Sequence, residues 1–188
     1  EILRMHAAGE ISADDATAKI QNLSYENIGY ARVDHARAER QGFPEVIFCE
    51  GMTVSPVVAI AKTLLRKNNA LLATRVEPSV ARALLRVSKR AVYHEAARVV
   101  AIAPPKLVRR GAVLIVTAGT ADIPVAEEAR VTADIMGSKT DTLYDVGVAG
   151  LHRLLGQQER LHDARALIVV AGMDGVLEVV HGVRDVVG

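Results

Sequence analysis

Three short segments of this chain combine glycine with groups that hydrogen-bond, carry charge or move a proton: Ala118-Gly-Thr-Ala-Asp122, Asp145-Val-Gly-Val-Ala-Gly-Leu-His-Arg153 and Ala171-Gly-Met-Asp-Gly175. Glycine at 119 lets a phosphate or ribose approach the backbone with no side chain in the way. Thr120 and Asp122 offer a hydroxyl and a carboxylate to ligand hydroxyls, His152 can transfer a proton, and Arg153 can bind an anion. Each has a plainer reading. Asp122 could simply cap the helix that opens near Pro124, a histidine in a first helical turn is often a packing residue, and Asp174 between glycines is open to either.

Each segment follows an apolar run. Strands are expected over Ala112 to Thr117, Thr140 to Tyr144 and Ala166 to Val170, with helices over Val125 to Met136, Leu151 to Leu161 and Val176 to Val187. Three βα units in succession imply a parallel sheet with helices packed across it. Ligands of such sheets bind beyond the carboxyl ends of the strands, so the three segments are expected to line one crevice. The stretch from Pro104 to Gly188 is short for an open sheet of this kind and ends after a helix, so a further C-terminal portion is expected.

A boundary is expected at Pro104-Pro105, giving domains 1–103 and 104–188. The first part holds 4 glycines and 14 Lys or Arg, the shorter second part 10 glycines and 9 Lys or Arg, the turn-rich texture of βα units. In the first part Ser12 should cap a short helix with Asp14 and Asp15 in its first turn. Strands are expected over Ile28 to Val33, Val46 to Cys49, Leu71 to Thr74 and Val99 to Ile102, with a helix opened by Ser55-Pro56 through Lys67 and another over Pro78 to Val87. The whole is α/β: a small mixed unit followed by a parallel-sheet unit.

Composition narrows the function classes. Half of the 188 residues are hydrophobic, enough for a real core, and 23 Lys or Arg against 22 Asp or Glu leave a formal net charge of +1. No basic run suggests nucleic acid, and no apolar stretch approaches the roughly 20 residues that cross a bilayer. Cys49 alone can form no internal disulfide, and at the end of an apolar strand it reads as a small buried hydrophobe. A cytoplasmic setting is the simplest fit.

Taken together, Gly119-Thr-Ala-Asp-Ile-Pro-Val-Ala-Glu-Glu-Ala129, Tyr144-Asp-Val-Gly-Val-Ala-Gly-Leu-His-Arg-Leu-Leu155, Val169-Val-Ala-Gly-Met-Asp-Gly175, Val33-Asp-His-Ala-Arg37 and Gln41-Gly-Phe-Pro-Glu-Val-Ile47 resemble the LarB family within the AIR carboxylase superfamily. The resemblance spans nearly the whole chain. It implies an AIR-carboxylase-like three-layer fold in the second part, cut short at its C-terminus. It also implies a reaction: nicotinic acid adenine dinucleotide gains a second ring carboxyl from carbon dioxide or bicarbonate, and its phosphoanhydride is hydrolysed to release AMP. A cysteine thought to activate the ring lies, in the family, beyond the Ala171–Gly175 turn, and Cys49 is no substitute for it. The resemblance further implies Mg2+, a homo-octamer, and no nucleic-acid or membrane partner.

By the same likeness Gly119, Thr120 and Asp122, then Gly147, Gly150, His152 and Arg153, then Gly172, Met173 and Asp174 are the substrate-binding and catalytic positions. His152, Asp122 and Asp174 are the implied catalytic groups. Asp34, His35 and Arg37 are implied contacts to the adenylate part or to a neighbouring subunit, against a plain surface-helix reading. Two positions depart from the family: Ala36 replaces a histidine and Met52 a lysine. Two alternatives stay open, an aminoimidazole ribonucleotide carboxylase or mutase, and a nucleotide-binding module without catalysis.

Overall fold

The computed structural model of the chain describes residues 2–22, 25–29, 31–35, 37, 45–147 and 156–172. It opens with α1 (Ile2–Ala7) and α2 (Ala13–Asn22). The sequence reading did not anticipate α1, which ends where Gly9 takes the left-handed conformation at φ 75°. Ser12 caps α2 as expected: its hydroxyl accepts the Asp15 amide at 3.0 Å and donates to the Asp15 carboxylate at 2.7 Å.

The expected strand over Ile28 to Val33 is instead an antiparallel hairpin of β1 (Tyr25–Asn27) and β2 (Arg32–Asp34). Turn chemistry overrides the apolar run. The Gly29 amide donates to the Asn27 side chain at 2.9 Å, Gly29 sits at φ 93°, and the Ile28 amide donates to the Ala31 carbonyl at 3.0 Å.

Next comes a four-stranded mixed sheet in the order β3 (Val46–Phe48), β4 (Leu71–Thr74), β6 (Val99–Ile102), β5 (Val92–His94). β3 and β4 are parallel; β6 runs antiparallel to β4 and to β5. One face is covered by α3 (Val54–Lys67) and α4 (Pro78–Leu85), whose Val57, Ala61, Leu64, Val80 and Leu84 pack on Leu71, Ala73, Val100 and Ile102. α3 starts slightly ahead of Ser55-Pro56, with Thr53 as its N-cap. β5 was not expected, being three residues between turns.

A parallel sheet follows, in the order β8 (Ser138–Leu143), β7 (Arg110–Thr117), β9 (Ala166–Val170). The chain is therefore α/β with a parallel sheet, in keeping with an AIR-carboxylase-like fold. Between β7 and β8 runs α5 (Ile123–Ile135), with Pro124 in its first turn where a missing N–H costs nothing. α6 (Gln158–Asp163) follows β8, and its Leu161 lies against Leu114, Val116, Leu143 and Val146. The expected helix over Val176 to Val187, and residues 151–155 of the one before it, lie outside the described residues.

The two sheets share a helix. α5 packs on β7 and β8, while its Val131 and Ile135 enter the other face of the mixed sheet against Ala70, Leu72, Ala97, Val99 and Ala101. Every residue of β4 and β6 is buried as a result. Among the described residues no helix is long and apolar enough to cross a membrane.

Candidate functional site

β7 ends in four buried residues, Leu114 to Thr117, and the chain then leaves the sheet at Ala118. A single helical turn over Thr120–Asp122 carries it into α5. Here the Asp122 carboxylate joins two of the three glycine segments. One oxygen accepts the Gly119 amide at 3.1 Å; the other accepts the Gly172 amide, fifty residues away, at 3.0 Å. The carboxylate does not cap α5. It links the first and third turns instead.

The second turn is held by one side-chain hydroxyl and by backbone contacts. The buried Thr117 hydroxyl accepts the Asp145 amide at 3.0 Å, and the Val146 and Gly147 amides donate to the Thr117 and Ala118 carbonyls at 3.0 and 2.9 Å. A Cβ on residue 147 would stand 2.6 Å from the Ala118 carbonyl oxygen, so only glycine fits. A Cβ on residue 172 would meet the Asp122 carboxylate at 3.0 Å, whereas one on residue 119 would make only an ordinary 3.7 Å contact. Packing thus demands glycine at 147, presses for it at 172 and leaves 119 free. Thr120 is exposed at the mouth.

The structure therefore brings Gly119, Thr120, Asp122, Gly147 and Gly172 together at the carboxyl ends of β7, β8 and β9. Gly150, His152, Arg153, Met173 and Asp174 lie outside the described residues.

Asp34, His35 and Arg37 are elsewhere. The His35 ring meets the Glu26 carboxylate at 3.1 Å, and Arg66 of α3 holds the other Glu26 oxygen at 3.0 Å. The Asp34 amide donates to Glu45 at 2.8 Å. Val33 packs with α3, across the mixed sheet from α5, so one chain does not carry this group to the three turns. Met52 packs against the same core.

Sequence reasoning missed a polar cluster on the side of α5 below the crevice. Arg130 grips Glu127 with two hydrogen bonds of 2.9 and 2.8 Å, and the Tyr144 hydroxyl donates to the same carboxylate. The Arg130 guanidinium foremost, with Tyr144, holds the Glu127 carboxyl below its usual range; burial and Glu127 push the Tyr144 phenol up to about 12. His94 of β5 is held below the usual histidine range, chiefly by burial and then by Arg130. The one signal available in the sequence was the spacing of Glu127 and Arg130 on one helix face. Cys49 is 1% exposed, its thiol pushed up to about 11 by burial, which makes it a packing group.

Among the described residues no group of three or more acidic, histidine or cysteine side chains could hold a metal ion, and both Asp122 oxygens already accept amides.

The LarB/PurE-like N-terminal domain matches residues 25–104. An uncharacterized protein of Methanocaldococcus jannaschii is 35% identical over 188 residues, covering 94% of this chain and 73% of that protein. The chain belongs to the LarB/AIR-carboxylase-like family. The LarB-like span takes in the hairpin and the mixed sheet with its two outer helices, while the three glycine turns follow it in the sequence. Membership places the chain among carboxylase-type enzymes.

Proposed function

We propose that the three-turn crevice binds nicotinic acid adenine dinucleotide, and that the protein carboxylates its pyridinium ring with carbon dioxide or bicarbonate and cleaves its phosphoanhydride to release AMP. The observation that carries this reading is the first turn. Gly119 is a glycine that packing does not require, at the start of a helix, while the neighbouring turns are locked around it by Asp122 and Thr117. A backbone kept bare there suits a phosphate or ribose, and the positive end of α5 favours an anion. Membership in the LarB family supplies the substrate class.

The chemistry asks for an electrophilic pyridinium to be made electron-rich before it meets carbon dioxide. Cys49 cannot do this from the mixed-sheet core with a thiol pKa of about 11, so in this proposal the addition to the ring falls to the cysteine that the LarB resemblance implies beyond the Ala171–Gly175 turn. Asp122, whose oxygens each accept an amide, serves as the brace of the crevice, and proton transfer falls to His152 and Asp174 in this proposal. Assembly as a homo-octamer, with Asp34, His35 and Arg37 reaching a neighbouring subunit, belongs to the same proposal.

The test is incubation of the protein with the dinucleotide, bicarbonate and Mg2+, reading AMP by chromatography and the biscarboxylated mononucleotide by mass. Both products are expected. Dinucleotide binding with no AMP would favour a nucleotide-binding module, and rescue of a purine auxotroph would favour an aminoimidazole ribonucleotide enzyme.

A further inference from the structure

Two arginines at one end of the mixed sheet hold backbone conformations that residues with side chains rarely adopt: Arg75, following β4, at φ 53°, and Arg98, preceding β6, at φ 51°. They are locked side by side, because the Val76 amide donates to the Arg98 carbonyl at 2.7 Å. A glycine would make either bend without strain, so the bend gives no reason for a long cationic side chain. The ion pairs do. Arg98 meets Glu77 within its own layer, whereas Arg75 crosses to the next layer and places Nε 2.8 Å from a carboxylate oxygen of Glu128 on α5. That Nε is buried with no aligned hydrogen-bond acceptor, so the contact is an ion pair held at some cost.

Glu128 lies in the second turn of α5, and the first turn of α5 grows directly out of the Gly119–Asp122 segment. The far end of α5 is anchored by apolar contact, through Val131 and Ile135. The near end, which carries the crevice turn, buries only the small Ala126 among the described residues and is tied to the mixed sheet by Arg75.

We propose that Arg75 is a positioning residue: through Glu128 it sets the near end of α5 against the mixed sheet, and so holds Asp122 where its carboxylate reaches the Gly119 and Gly172 amides together. The mixed sheet thereby acts on the crevice without touching a ligand. The structural half of this proposal stands on the contacts alone; its effect on turnover rests on the functional reading above.

The test is Arg75→Gly, which relieves the strained φ and removes the guanidinium, followed by amide hydrogen exchange. Exchange at Gly119 and Gly172 should rise about tenfold or more, while amides of β4, β6 and the Val131 to Ile135 turn change less than about threefold and the melting temperature does not fall. KM for the dinucleotide should rise about tenfold with kcat within about twofold. Arg75→Lys, which keeps a charge, should restore most of the protection. Glu128→Gln breaks the same pair without touching the strained backbone and must give the same turn-selective loss. Unchanged exchange at Gly119 and Gly172, or a parallel loss at every amide, overturns the proposal. If the unaltered protein releases no AMP, the functional reading falls and the exchange result still decides the role of Arg75.

Discussion

The mixed sheet and the parallel sheet differ in how they are covered, and the difference separates stability from chemistry. In the mixed sheet both central strands are buried at every position, with α3 and α4 on one face and α5 on the other. Among the described residues the parallel sheet is buried only toward the carboxyl ends of β7 and β8, and β9 leaves Leu167 43% and Val169 41% exposed. The three glycine turns all hang from this less covered sheet. A segment with few apolar contacts is the one free to adjust to a ligand, provided something braces it. Here the brace is polar: Asp122 across two turns, Thr117 beneath the second, and Arg75 through α5.

The sharpest way to break this comparison is to cut into each sheet. Leu72→Ala, in a fully buried strand, should cost about 2–5 kcal/mol in denaturant unfolding, whereas Val169→Ala on the open strand should cost no more than about 0.5 kcal/mol. Equal losses would remove the distinction. Next in size is Gly147→Ala, which forces a methyl against the Ala118 carbonyl; a loss of about 1–3 kcal/mol is expected, together with loss of AMP release. Asp122→Asn turns one acceptor into a donor facing an amide. It should cost about 1.5–3 kcal/mol and expose the Gly119 and Gly172 amides to exchange.

The smallest effects are those of pH, and they locate the polar seam between the layers. The Tyr144 phenol is raised from 10 to about 12 in the fold, so its contribution is complete below pH 10 and is lost as pH rises toward 12. Tyr144→Phe should flatten that alkaline slope. His94 is depressed, so its contribution is present above the ordinary histidine value of 6.5 and is lost as pH falls below it. His94→Gln should remove that part of the acid slope in melting temperature, leaving the part set by the lowered carboxylates Glu127, Glu26, Asp134 and Asp141, which is lost at lower pH.

The comparison also explains what the sequence let one read. β4, β6 and β9 were legible to the residue, because unbroken β-branched and leucine runs between turn residues have few other uses. The hairpin was not, since Asn27 and Gly29 reverse a run whose apolar residues suggested one strand. The double duty of α5 was invisible for a different reason. Helical periodicity marks the apolar side of this helix and says nothing of its charges, yet Glu127, Glu128, Arg130 and Asp134 all pair: Glu128 with Arg75, Asp134 with Arg109, Glu127 with Arg130. At the crevice, residue types marked Asp122 as important, but periodicity carries no information about a partner fifty residues away. Likewise the bar against any side chain at 147 comes from a carbonyl twenty-nine residues earlier.

The proposed function requires that the three turns form one ligand site. It is tested most directly by titrating the isotope-labelled protein with nicotinic acid adenine dinucleotide and following the backbone amides. Saturable shifts at Gly119, Thr120, Gly147 and Gly172 are expected with one common dissociation constant, and little change in β4 and β6. Shifts that leave these four amides untouched, or that saturate at different concentrations, would contradict it.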